Sequence, residues 1–159
     1  MIFTRVKQEE AGEVLQLYRS LKGTEYCVWD ENYPTQREID MDMSADVLFC
    51  MKEEEQIIGV ISIDNDPGVQ ALDCWSKTLV PAAELSRLGV AVQWQNRGIA
   101  RQLLLNAMDE LRRLGYKGVH FLVAQENVKA VRSYQKLQFN VVGECKMFGH
   151  KYLCYEKEL

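Results

Sequence analysis

The residues Gln95-Asn96-Arg97-Gly98-Ile99-Ala100 stand between an apolar run and an amphipathic run, and their types suit the binding of an anion. Upstream, Leu85 to Val92 reads as strand. Downstream, Ala100, Leu103, Leu104, Ala107, Met108, Leu111 and Leu114 recur at helical spacing, and Gly115 ends the pattern. A helix N-terminus leaves about four N–H groups without partners, and its dipole favours a negative ligand. Gly98 lets the backbone approach a ligand closely, and no acidic side chain stands in the first turn. Asn96, Arg97, Gly98, Ile99, Ala100 and Arg101 therefore read as a phosphate cradle. Neither G-x-x-x-x-G-K-[ST] nor G-x-G-x-x-G occurs, which excludes two familiar phosphate loops.

Three more residues have suggestive positions. Val119 to Ala124 is a second apolar run, and Asn127 is a good N-cap for a helix from Val128 to about Leu137. Seven steps of about 100° return to nearly the same azimuth, so Asn127 and Tyr134 share a helix face. Glu84 opens the strand before the cradle. Alternation puts Glu84, Ser86, Leu88 and Val90 on one face of that strand. A partly buried carboxylate there has its pKa raised and becomes a better base; an exposed one is only a strand start.

The hexapeptide resembles the Q/R-x-x-G-x-G/A loop of the GNAT superfamily of N-acetyltransferases, with Ala100 in the last place. The superfamily's second motif, N-x-x-A-x-x-x-Y-x-K-x-G-F, is matched at Asn127, Ala130, Tyr134, Lys136 and Phe139, and departs at Gln138, where glycine is usual. The likeness is close over residues 84 to 139 and loose over the rest. It implies a mixed α/β fold, a central sheet with splayed parallel strands flanked by helices. It also implies acetyl-CoA as cosubstrate, with its pyrophosphate on the cradle and its pantetheine arm along the backbone of Leu88, Gly89 and Val90. A backbone N–H near Val90 would face the thioester oxygen. Asn127 would contact the cofactor, or act only as N-cap. Tyr134 would be the general acid. Glu84 resembles the base of some members by position, eleven residues before Gln95. Another base position, five residues before Asn127, is Leu122 and cannot serve; His120 and Glu126 are reserves. Lys129 and Arg132 read as a solvated helix face, with contact to the adenosine 3′-phosphate of the cosubstrate as the alternative the resemblance offers.

The remaining elements support this order. Residues 2 to 6 read as an edge strand, and 9 to 21 as a helix with Ala11, Val14, Leu15, Tyr18 and Leu21 inward and Gly23 as stop. Thr35-Gln36-Arg37-Glu38 is a capping box that opens a short helix with Ile39 and Met43 inward. Residues 47 to 51 and 57 to 63 read as a hairpin, 65 to 82 as an unpatterned connection, and 139 to 148 with 151 to 157 as a last hairpin turning at Gly149-His150. Strand 84 to 92 and strand 118 to 124 should be parallel, joined by a right-handed crossover through the helix from 98 to 114.

The 159 residues suit one domain over 1–159. No apolar run approaches the ~20 residues of a membrane span, and no secretory signal is expected, which points to a cytoplasmic location. The cysteines 27, 50, 74, 145 and 154 form no C-x-x-C pair, so no metal and no disulfide framework is expected. A net charge of -4 disfavours nucleic acid as partner. A monomer and a homodimer both remain open.

Residues 24 to 46 hold Glu25, Asp30, Glu31, Glu38, Asp40, Asp42 and Asp46 against a single Arg37, interleaved with Tyr26, Trp29 and Tyr33. Such a surface suits a small cationic amine as acceptor. The alternatives are a protein or peptide N-terminus or lysine, a non-catalytic acyl-CoA-binding sensor, and a DNA-binding module.

Overall fold

A strand that is apolar at every position must lie between two layers. Leu48, Phe49, Cys50 and Met51 are such a run, and all four are buried in the computed structural model, which describes residues 1–159. They belong to strand β2 (Leu48–Glu53), which pairs antiparallel with β1 (Ile2–Arg5) and β3 (Gln56–Asp64). The sheet has seven strands in the order β1-β2-β3-β4-β5-β7-β6, with β4 at Ala82–Val90, β5 at Gly118–Ala124, β6 at Asn140–Met147 and β7 at His150–Glu158. Only the β4–β5 pairing is parallel. The expected mixed α/β architecture is thus present.

Helices cover both faces. On one, Ile99, Leu103, Leu104, Ala107, Met108 and Leu111 of a long helix (Ile99–Arg113) pack on Phe49, Ile58, Ile61 and Leu85. Burying each large side chain contributes about 1.5–3 kcal/mol. On the other face, helices α1 (Ala11–Leu21) and α2 (Gln36–Ser44) cover Leu48, Cys50, Ile57 and Val60. The Thr35 capping box forms as expected, with Glu38 reaching back to the Thr35 N–H at 2.7 Å. Beyond Ile39, the buried residue of α2 is Asp42, while Met43 is only half-buried. In the connection from 65 to 82, Asp66 caps a one-turn helix α3 (Pro67–Gln70), so the long helix from Ile99 is α4 and the next (Val128–Lys136) is α5. No helix is long and apolar enough to cross a membrane. The five cysteines are free.

Two backbone features shape the site. First, β4 and β5 are paired only at Ala82–Gly118, Ala83–Val119 and Glu84–His120, and then part. The splay implied by the resemblance is therefore visible in the register. Second, Ser62 faces Ser86 and Val60 faces Gly89, so Arg87 and Leu88 together oppose Ile61. This is a β-bulge, with Arg87 at φ 49°. The bulge overturns the expected single face of Glu84, Ser86, Leu88 and Val90. Leu88 and Val90 pack with the α4 layer, while Ser86 and Arg87 bond groups on the α2 side of the sheet. One extra residue shifts a period of two by one, and every later side chain changes face.

The departure at Gln138 leaves the helix end in place. Gln138 takes φ 63°, donates to Gln135, and Phe139 donates to Tyr134, which completes a Schellman cap. A side chain in the left-handed region costs roughly 1–2 kcal/mol, part of which glycine returns as unfolded-state entropy. Gln138→Gly is expected to raise stability by about 0.5–1 kcal/mol, seen as a higher urea midpoint at unchanged slope.

Candidate active site

The turn expected to form the cradle lies where the sequence places it, at the start of α4. Asn96 at φ 62° and Gly98 at φ 79° turn the chain sharply into α4, and the Gln95 amide closes the turn on the Val90 carbonyl at 3.1 Å. Asn and Gly are the residues that tolerate this backbone. None of the backbone N–H groups from Asn96 to Arg101 donates to a backbone acceptor. No acidic residue stands in the first turn of α4, and a Cβ added at Gly98 would meet nothing within 4 Å. Arg97 lies over the Trp94 ring at 4.9 Å, and Arg101 is exposed. A fan of free amides at a helix start, with open space and no carboxylate, fits a phosphate group.

The parted strands continue from this turn. Beyond Glu84 the β5-facing edge of β4 has no strand partner. The Ala91 N–H bonds the Ile58 carbonyl, so the preceding N–H, of Val90, points the other way, into the gap. Gly89 leaves no room for a side chain, since a Cβ there would come within 2.9 Å of Leu21 and 3.2 Å of Trp29.

A cleft of about 1210 Å³ gathers these parts. Its walls include Leu88, Gly89, Val90, Asn96, Gly98, Ile99, Ala100, Arg101, Asn127, Tyr134 and Glu84. Arg97 is the one expected cradle residue whose side chain stays outside those walls.

Tyr134 is wedged edge-on against Phe121 with ring centroids 5.0 Å apart, beside Phe139 and Tyr155. Burial pushes its phenol further up from the ordinary value of 10.0, and the neighbouring Tyr155 adds to this. The proton therefore stays on the oxygen at neutral pH. Asn127 caps α5, its side-chain oxygen accepting from the Ala130 N–H at 3.1 Å. Its carbonyl is thus committed to the helix, whatever else its amide meets. Lys129 and Arg132 are exposed.

Glu84 is 5% exposed. Burial first, then the charges of Asp64 and Asp66, push its carboxyl up to about 8, against a bond from the Asp66 N–H at 3.3 Å. His120 is also buried, but stacks on Trp75 at 4.4 Å and lines a separate cavity of about 270 Å³. Burial pushes its imidazole down to about 4. Glu126 is exposed and lies 3.5 Å from His150.

The acidic segment divides. Glu25, Asp30 and Glu38 line the cleft with Tyr26, Trp29 and Tyr33, joined by Asp64 and Asp66, which the sequence pattern does not single out. Asp42 instead is buried against Arg87. Arg87 and its partners were not legible as a site. The available signal was a lone arginine inside an apolar strand.

Comparison with known proteins agrees with this geometry. The family model described as the acetyltransferase (GNAT) family matches residues 14–139. The chain belongs to that family. Among curated proteins, the mycothiol acetyltransferase of Nocardiopsis dassonvillei is 36% identical over 84 residues, 47% of this chain and 25% of that protein. The chain thus spans about a quarter of that relative's length. Among solved structures, the ribosomal-protein-alanine N-acetyltransferase of Brucella melitensis superposes over 100% of both chains with a TM-score of 0.77 at 18% identity. The yncA protein of Salmonella typhimurium, solved with its cofactor acetyl-CoA, has a TM-score of 0.77 at 16% identity, covering 100% of this chain and 94% of its own. At such identities the likeness is one of fold.

Proposed function

We propose that this GNAT chain, acting as one domain, is an acetyl-CoA-dependent N-acetyltransferase in which an amine attacks directly within a ternary complex. The observation that carries the reading is that a single cleft joins the unpartnered amides, the parted strands, Glu84 and Tyr134. Acetyl-CoA supplies the acetyl thioester. Residues 96 to 101 hold its pyrophosphate, and the free edge of Leu88, Gly89 and Val90 receives its pantetheine arm. The Val90 N–H donates to the carbonyl oxygen as negative charge grows there, which is worth roughly 10²–10³ in rate. Glu84 takes the proton of the attacking amine. The Tyr134 hydroxyl gives its proton to the departing thiolate. The acidic and aromatic lining from Glu25 to Tyr33 favours a small cationic amine as acceptor.

The test is thiol release from acetyl-CoA over a panel of polyamines, aminoglycosides, amino acids and an N-terminal peptide. Turnover with at least one cationic amine is expected, and binding without any turnover would favour a sensor. For the working amine, kcat/KM should rise with pH through about 8 as Glu84 loses its proton. Glu84→Gln should cost about 10²-fold at neutral pH with acetyl-CoA affinity unchanged. Raising the pH should recover part of that rate, because more free amine is present. Equal pH–rate profiles would remove Glu84 as base.

Stability should report the same carboxyl. Its folded pKa, about 8, lies above the ordinary 4.5, so the folded state holds the proton more tightly. The stabilisation is complete below 4.5 and is lost as pH rises through about 8. The stability of Glu84→Gln relative to the parent should therefore increase across that window, as measured by urea melts at fixed ionic strength.

A further inference from the structure

Arg87 is 7% exposed, and it stands at positive φ on the bulge of β4. All three nitrogens of its guanidinium are engaged, through four hydrogen bonds. Nε and Nη2 donate to the two oxygens of Asp42 at 3.1 and 2.8 Å. Nη1 donates to Asp64 at 2.9 Å and to the Tyr33 hydroxyl at 3.0 Å. Ser62 donates to Asp42, and Ser86 to Asp64. One side chain thus ties α2, β3 and the loop before α2 to the strand that carries Glu84. A planar fork with five donors is suited to this task, and lysine is not.

The tied groups reach the cleft. Asp64, Tyr33 and Glu84 all line it, and the Asp64 side chain is 20% exposed. Since the Tyr33 oxygen accepts from Arg87, its own hydrogen is free to donate. Asp64 stands opposite Glu84 in the sheet register. Strain at a residue like Arg87 persists only where its surroundings hold it, and such sites cluster where a geometry matters.

We propose that Arg87 is a positioning residue for the acceptor: it fixes the Asp64 carboxylate and the Tyr33 hydroxyl against the incoming amine, and balances the charge beside Glu84. This rests on the reading of the cleft as an acetyltransferase site. Arg87 itself does not touch the amine. The charged and titratable groups around Glu84 are Asp64 on β3, Asp66 in the following loop, Arg87 on its own strand and His120 on β5, with Asp42 and Tyr33 behind Arg87. His120 is neutral above about 4, so the balance falls to Arg87 against the carboxylates.

Removing Arg87 alone would strand the buried Asp42 carboxylate, so the variant is Arg87→Met with Asp42→Asn, which deletes one charge of each sign. Asp64 then lacks its cation, and the carboxyl-¹³C titration midpoint of Glu84, assigned with Glu84→Gln, should rise by about one pH unit. Asp64→Asn should move it the other way. Tyr33→Phe should leave the midpoint and raise the acceptor KM about tenfold at similar kcat, the effect of one lost bond to a charged group. Midpoints that stay put in both charge variants, or an unchanged acceptor KM in Tyr33→Phe, would overturn the inference. The titration needs no acceptor. A parent that acetylates nothing therefore refutes the activity, while the midpoints still decide whether Arg87 sets the charge at Glu84.

Discussion

Gly98→Asp is expected to abolish acetyl-CoA binding while the fold survives. The amides from Asn96 to Arg101 have no backbone acceptor, and the space over Gly98 is empty to 4 Å. An aspartate at this N-cap position would place a carboxylate among those amides. It would also face the pyrophosphate with a like charge. At about 4 Å and an effective dielectric of about 20, that repulsion is of order 4 kcal/mol, or roughly 10³ in affinity. The backbone at φ 79° penalises a side chain by roughly 1–2 kcal/mol, a fraction of the roughly 5–15 kcal/mol by which folded domains are stable. Calorimetry with acetyl-CoA and circular dichroism of the same sample give the check. Gly98→Ala separates the causes, because it adds the strain without the charge and should bind far better than the aspartate. Unchanged affinity in a folded Gly98→Asp protein would remove the cradle.

Much of this site was legible because it is local. The turn into α4 is written in six consecutive residues, and the Asn127–Tyr134 face in seven steps of a helix. Periodicity also carried β5 and both hairpins, since each repeats an apolar pattern over its own length. What escaped depends on single residues that change a phase or on partners far apart in the chain. The bulge at Arg87 has no glycine to announce it, and it reversed the faces of Leu88 and Val90. In the sequence Asp42 is one more acid of the segment from 24 to 46. It is buried because Arg87, 45 residues away, pairs with it. Asp64 and Asp66 reach the cleft only through the pairing of β3 with β4, which no local pattern expresses. The motif departs at Gln138, yet the backbone there takes the glycine-like angle regardless.

That last point makes Tyr134→Phe a clean probe. With the Schellman cap intact, the Tyr134 ring is held edge-on to Phe121 and on the cleft wall. The hydroxyl owes its raised pKa to burial and to Tyr155, with no hydrogen bond contributing. Deleting it therefore strands no partner, and the aromatic contacts remain. Stability should stay within about 0.5 kcal/mol of the parent, the usual range where no buried partner is lost. Acetyl-CoA affinity should be nearly unchanged, because the contacts proposed for the cosubstrate lie at the cradle and the strand edge. The loss should fall on the chemical step. A departing thiolate that finds no proton reverts to thioester. General acid catalysis contributes 10²–10⁴, and burial makes this phenol a weak acid, so the expected fall in kcat is about 10²-fold. Single-turnover acetyl transfer to the amine found in the panel measures it free of product release. A rate within about twofold of the parent would make Tyr134 a packing residue, since even the low end of the general-acid range is far larger. The proton for the thiolate would then have to come from solvent entering the cleft.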